Sequence, residues 1–169
     1  AESTQDKYMG NITNGADLYD FEGYKIYRAT DFEFNDAYNI TDGDGNPTFL
    51  EPYVQNGVRA QWDLVDGKSG WHPVDLNGIK FYLGDDTGLT HSYVDHNVVN
   101  GQRYYYAVVS YDYGGDLSNN IIPSDSPMKL RVNPLTGAVS LGPNVVEVVP
   151  SPPSAGFVDA SFAGDQVDH

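Results

Sequence analysis

The sequence predicts an all-β protein, a β-sandwich with a long β-rich insertion and a C-terminal extension. Three observations carry that reading. The chain holds thirteen Tyr, eighteen Gly and ten Pro in 169 residues, a composition of strands and turns rather than helices. No run of strong helix formers at helical spacing lasts beyond two turns. Several segments alternate apolar and polar residues with the period of two that a half-buried strand requires.

Residues 1–20 are polar and rich in Gly and Asn, and read as loop. Residues 24–28 (YKIYR) form the first strand, with Tyr24 and Ile26 as core positions. Residues 29–57 are turn-rich with scattered aromatics. Val58, Ala60, Trp62 and Leu64 alternate with polar residues and predict a strand buried on that side. Residues 68–78 read as turn, 79–84 as strand, and 90–94 as a short strand. The run QRYYYAVVSYD (102–112) is the strongest strand signal of the chain. A loop follows to 126, then a strand at 127–132, a turn with a short strand at 133–144, and the β-prone run 145–149. The Pro-rich stretch 150–157 reads as extended polyproline, and the last dozen residues as a mobile tail. This divides the chain into a sandwich over 1–133, its insertion at about 30–78, and an extension over 134–169 bearing the strand 144–149.

Two blocks resemble a known family. In residues 93–127, Tyr93, Asp95, Val98, Gly101, Tyr104, Tyr106, Val108, Asp112, Gly114 or Gly115, Ser126 and Pro127 resemble the second half of a fibronectin type III domain. Tyr104 sits where that family has its tyrosine corner, which implies a hydroxyl reaching back to nearby backbone. Residues 22–29 (EGYKIYRA) resemble the family's third strand, in the form seen in type III-like modules of large secreted bacterial proteins. The resemblance covers about half the chain. It departs from the pattern in two places: the family's first two strands are absent before Tyr24, and the segment between the two blocks is too long. So long a connection implies structure of its own.

Charge and composition exclude several functions. With 24 acidic residues against 9 basic and a net charge of −15, no basic patch exists for nucleic acid or for an anionic membrane surface. No segment is long and apolar enough to insert into a membrane, and no signal peptide is recognisable. Ala1 reads either as a mature N-terminus or as a fragment boundary. Without Cys there is no disulfide, thiolate metal site or thiol catalysis. No nucleophile, zinc or phosphate-loop motif occurs, and the chain is read as a non-enzyme.

Candidate sites remain. Asp42, Asp44, Asn46 and Thr48 alternate like the first four ligands of an EF-hand loop, which makes Ca²⁺ the one candidate cofactor. Pro47 stands where that loop needs Gly and Tyr53 where it needs Glu, so the competing reading is a plain turn. Asp85, Asp86 and Asp95 form a weaker acidic group. Trp71, in a turn, and Tyr53 are candidate stacking platforms for a glycan. Asn11 and Asn39 head N-glycosylation sequons.

The missing strands give the functional expectation. A sandwich without its first two strands leaves an apolar face and strand edges open, and these recruit other strands. Val145, Val146, Val148 and Val149 form a valine run that covers the gap within the chain or enters a neighbouring subunit, unless a larger parent protein supplies the strands. The expected function is a non-enzymatic extracellular or cell-surface structural module, a filament or surface-layer subunit joined by strand complementation. Its partners are copies of itself or its parent protein. The alternative is a carbohydrate- or ligand-binding accessory module of a secreted protein, stabilised by calcium.

Overall fold

The computed structural model describes residues 19–154 and Gly156, apart from Asn77 and residues 116–119. Its strands are, in chain order, β1 (Phe21–Ala29), β2 (Ile40–Thr41), β3 (Pro47–Phe49), β4 (Val54–Gln55), β5 (Val58–Arg59), β6 (Gln61–Asp63), β7 (Trp71–Leu76), β8 (Ile79–Tyr82), β9 (Tyr104–Asp112), β10 (Leu130–Val132), β11 (Val139–Leu141) and β12 (Val145–Val148). One 3-10 turn spans Asn35–Ala37. The all-β class is as expected.

The centre is one antiparallel sheet in the order β12-β9-β1-β6. Its two long strands, β1 and β9, pair over nearly their whole length, with Lys25 opposite Val109 and Tyr27 opposite Ala107. The other pairs, β2-β3, β4-β5, β7-β8 and β10-β11, are two-stranded. A bulge between Phe21 and Gly23 leaves Glu22 as the extra residue of β1. Gly23 is needed there because a Cβ would lie 2.1 Å from the Trp62 carbonyl oxygen on β6.

The two faces of this sheet differ. Registry puts Tyr27 and Ala29 of β1, Tyr105, Ala107 and Val109 of β9, and Val145 of β12 on one face. All are buried, under Phe34, Ala37, Leu50, Met128, Leu130 and Leu141. The insertion and the β10-β11 hairpin thus build the core, with each buried side chain worth about 1.5–3 kcal/mol. The opposite face carries Tyr24, Ile26, Trp62, Tyr106 and Val108, with Val146 and Val148 of β12. Val108 is 47% exposed and Val146 52%.

Several expectations need correction. Tyr24 and Ile26 lie on the half-buried outer face, and the buried side of β1 holds Lys25, Tyr27 and Ala29. The strand expected through Val58 and Leu64 is two short strands, β5 and β6. Ala60 is buried as expected, but beyond it the buried side changes: Gln61 and Asp63 are buried, Trp62 and Leu64 are half-buried, and Val58 is exposed. Residues 68–78, read as turn, contain β7, because the β8 strand supplies it with a partner. Residues 90–94, read as strand, form none; the Val94 carbonyl accepts from the Gln55 side chain instead. The run 145–149 folds back within the chain, β12 pairing with β9 at the sheet edge rather than covering the open face.

Candidate functional site

The open face is crossed by a strap, residues 90–95, and the two enclose a cleft of about 540 Å³. Its floor is Tyr24, Ile26, Trp62, Tyr106 and Val108, and its wall includes His91 and Tyr93. Tyr93 packs edge-on against Trp62, ring centres 5.4 Å apart, and His91 against Tyr24 at 6.0 Å. The Tyr93 hydroxyl is buried with no hydrogen-bond partner, and burial pushes its pKa up. The cleft is apolar and aromatic, which suits a side chain or strand better than a sugar or a charged metabolite.

Asp95 pins the strap. Its Oδ2 accepts from Arg28 Nη1 and the Tyr106 hydroxyl, each at 2.8 Å. Its Oδ1 accepts from the Asn97 N–H at 2.8 Å and the Tyr53 hydroxyl at 3.2 Å. Burial works against the carboxylate, but the donors at Asn97, Tyr106 and Arg28 outweigh it and hold the Asp95 pKa below its ordinary value. The same Arg28 guanidinium lies 3.8 Å over the Tyr53 ring. Further along, the Tyr104 hydroxyl accepts from the Val99 N–H at 3.0 Å, a hydroxyl reaching back five residues to backbone. The strap is therefore fixed by a partly buried ion pair and a tyrosine, while Val108 and Val146 on the strand face beside it are exposed.

The sequence-derived candidates are dispersed. Asp42 spends its carboxylate on its own turn, accepting from the N–H groups of Asp44 and Asn46 at 3.0 and 2.9 Å and from the Asn46 amide. The Thr48 hydroxyl donates to the Asn46 carbonyl. These contacts close the loop through Asp42 and Asn46 themselves. Among the described residues no group of three or more His, Asp or Glu side chains is arranged to hold a metal ion. Asp85, Asp86 and Asp95 are separated in role: Asp85 accepts from Tyr82, Asp86 from the N–H groups of Asp66 and Gly67, and Asp95 holds the strap. Trp71 is 60% exposed at the start of β7, its ring 5.0 Å from Tyr82. Tyr53 is not beside it but under Arg28. Asn39 is exposed, and Asn11 lies outside the described residues. Of the valine run, Val145 is buried while Val146, Val148 and Val149 are exposed.

Sequence reasoning missed Trp62, Tyr93, Tyr106 and Asp95 as parts of one site. The alternation Tyr104-Tyr106-Val108 marks one face of β9 correctly, but nothing local joins it to Trp62, Tyr93 and Asp95.

A second polar region lies at the bulge of β1. Glu22 is fully buried and neither carboxylate oxygen has a hydrogen-bond partner. Burial raises its pKa to about 8; Asp66, Asp63 and Asp86 add to this and Lys68 opposes it. Asp63, also buried, accepts from the N–H of Asp86 and from the N–H and hydroxyl of Thr87. His72 is buried, its Nδ1 accepting from the Val74 N–H at 3.2 Å.

No family model, curated protein or solved structure matches the chain. Among the described residues no helix is long and apolar enough to cross a membrane.

Proposed function

We propose that the chain is a non-enzymatic assembly module of an extracellular or cell-surface structure. Its working surface is the open face of the β12-β9-β1-β6 sheet. The observation that supports this is the row Ile26, Trp62, Tyr106, Val108, Val146 and Val148, apolar side chains that share a sheet face over which, among the described residues, only the strap passes. A sheet face of this kind gains by receiving the strands of a second sheet, as in a sandwich. The partner is another copy of the chain, each covering the other's open face. The valine run takes part from within its own sheet through Val146 and Val148, rather than as a detached donor strand.

Sedimentation velocity over a wide concentration range tests this. Association is expected, strengthened by salt because screening weakens the repulsion between chains of net charge −15. Val108→Asp should abolish it with the fold retained. A monodisperse monomer at high concentration and high salt overturns the reading.

A second reading is favoured by Trp71 alone, which stands exposed on Tyr82 beside a cavity of about 510 Å³. It makes the module a glycan binder. Binding on a glycan array, lost in Trp71→Ala, would support it, and no binding to any glycan would remove it.

A further inference from the structure

The covered face of the sheet holds an amine against an acid. Lys25, in the middle of β1, is 4% exposed. Its Nζ lies 3.0 Å from Oδ1 of Asp125, one hundred residues away in sequence. The Tyr27 hydroxyl, next along the same face of β1, donates to Oδ2 of that carboxyl. The Phe81 and Tyr111 rings stand 3.6 and 4.5 Å from Nζ. Asp125 is held in place by its bridge to Tyr111 and by the neighbouring Ser126 N–H bonded to the Ser110 carbonyl at 2.7 Å. Amine, carboxyl and phenol thus meet in an aromatic box.

We propose that Lys25 and Asp125 condense to an intramolecular amide, a covalent crosslink between β1 and the segment leading into β10. This goes beyond the assembly reading and concerns the other face of the sheet.

The step balances without any co-reactant. A proton crosses from the ammonium to Oδ1, leaving a neutral amine beside a neutral acid. The Nζ lone pair attacks Cγ, and the Cγ–Oδ2 π electrons move onto Oδ2, where the Tyr27 hydroxyl donates to the developing negative charge. The second amine proton passes to the Oδ1 hydroxyl, which departs as water, and the Cγ–Oδ2 double bond re-forms. In bulk water the ionisation of both groups opposes such a condensation. Here burial disfavours the charged amine, lowering its pKa to about 8 although Asp125 pulls the other way. Fixed contact replaces a bimolecular encounter, an advantage that can be very large. The Lys25 side chain is 6% exposed and that of Asp125 28%, so the amine is shielded while the product water has a way out.

The mass of the intact chain under denaturing conditions tests the proposal. The folded wild type is expected to be lighter than its sequence by one water. Proteolytic mapping should yield a branched peptide joining Lys25 to Asp125. Lys25→Arg, which keeps the ion pair, and Asp125→Ala should have full mass. Asp125→Asn should form the same branched peptide with loss of ammonia instead. Tyr27→Phe should slow accumulation of the linked form on the order of a hundredfold; an unchanged rate overturns the role given to Tyr27. A wild type of full mass after prolonged incubation in the folded state overturns the proposal. So does a water loss that persists in Lys25→Arg, which would place it in a succinimide at Asp42-Gly43, Asp44-Gly45 or Asp66-Gly67.

Discussion

Replacing Glu22 by Gln should stabilise the protein, and by an amount that depends on pH. Glu22 is the extra residue of the β1 bulge, fully buried, with both carboxylate oxygens lacking a hydrogen-bond donor. Burial, with Asp66, Asp63 and Asp86 around it and only Lys68 opposing, moves its pKa from 4.5 to about 8. In the unfolded chain the carboxyl ionises near pH 4.5, whereas in the fold it keeps its proton to about pH 8. Between those values the native state holds one proton more than the unfolded state, so stability falls as pH rises. The slope is about 1.4 kcal/mol per pH unit, which sets an upper bound of about 5 kcal/mol across the whole window. Relaxation and water entry at the bulge reduce this, and a loss of about 2 kcal/mol between pH 5 and pH 8 is expected. Above pH 8 the loss stops growing.

The assay is equilibrium urea unfolding at pH 5, 6, 7 and 8, followed by the fluorescence of Trp62 and Trp71. Wild type should lose stability steadily across the series. Glu22→Gln, which has nearly the same shape and no charge, should lose little, so the two curves diverge upward in pH. An uncondensed Lys25, with its pKa lowered to about 8, adds a slope of opposite sign only from the top of this series upward, and a condensed one adds none. Parallel curves would refute the reasoning, and so would a wild type more stable at pH 8 than at pH 5.

Other outcomes follow from the same contacts. Asp95→Ala removes the acceptor of Arg28, Tyr106, Tyr53 and the Asn97 N–H. It should cost about 2 kcal/mol in urea unfolding, less than a fully buried pair because Arg28 is partly exposed. Because the folded Asp95 pKa is depressed, its contribution is present above the unfolded pKa and lost as pH falls through the folded one. Asp95→Asn should therefore flatten the acid limb of a stability curve below about pH 4. Gly23→Ala places a methyl 2.1 Å from the Trp62 carbonyl oxygen and should cost on the order of 3 kcal/mol, with β6 displaced from β1 by hydrogen exchange. EDTA should leave the melting temperature unchanged, since Asp42 already accepts from Asp44 and Asn46; a lower value with EDTA would put a cation in that loop.

What the sequence made legible was alternation, and alternation says which residues share a face. It does not say which face is covered. Tyr24 and Ile26 alternate as well as Tyr27 and Ala29 do, and the apolar set containing Tyr24 was the one assigned to the core. The decision rests on long-range partners. Phe34, Leu50 and Met128 come from the insertion and the later segment to cover Tyr27, while the strap, through His91, lies against Tyr24. Lys25 alone would mark the opposite side as solvent-facing. Its burial depends on Asp125, Phe81 and Tyr111, which no local pattern connects to it. Asp95 was visible within its Tyr-x-Asp stretch, but its partners Arg28 and Tyr53 lie in two other segments. The β7 strand was hidden for the same reason: the turn-like residues at its start take their strand character from β8.

The open face and the charge together constrain how the module works. Val108, Val146 and Val148, with half-buried Tyr24, Ile26, Trp62 and Tyr106, leave several side chains each worth about 1.5–3 kcal/mol on full burial. Completing their burial from a half-buried start yields a fraction of that sum. It is comparable to the association cost of two proteins, roughly 4–15 kcal/mol. Apolar gain alone therefore leaves pairing near balance, and the repulsion between two chains of −15 decides the outcome at low salt. Screening shortens the reach of that repulsion to about 8 Å at 0.15 M ionic strength. Assembly through this face should thus switch on over a range of salt rather than tighten gradually from a tight complex. If the affinity were insensitive to salt, the partner on this face would not be a second copy of the chain but a less acidic protein surface.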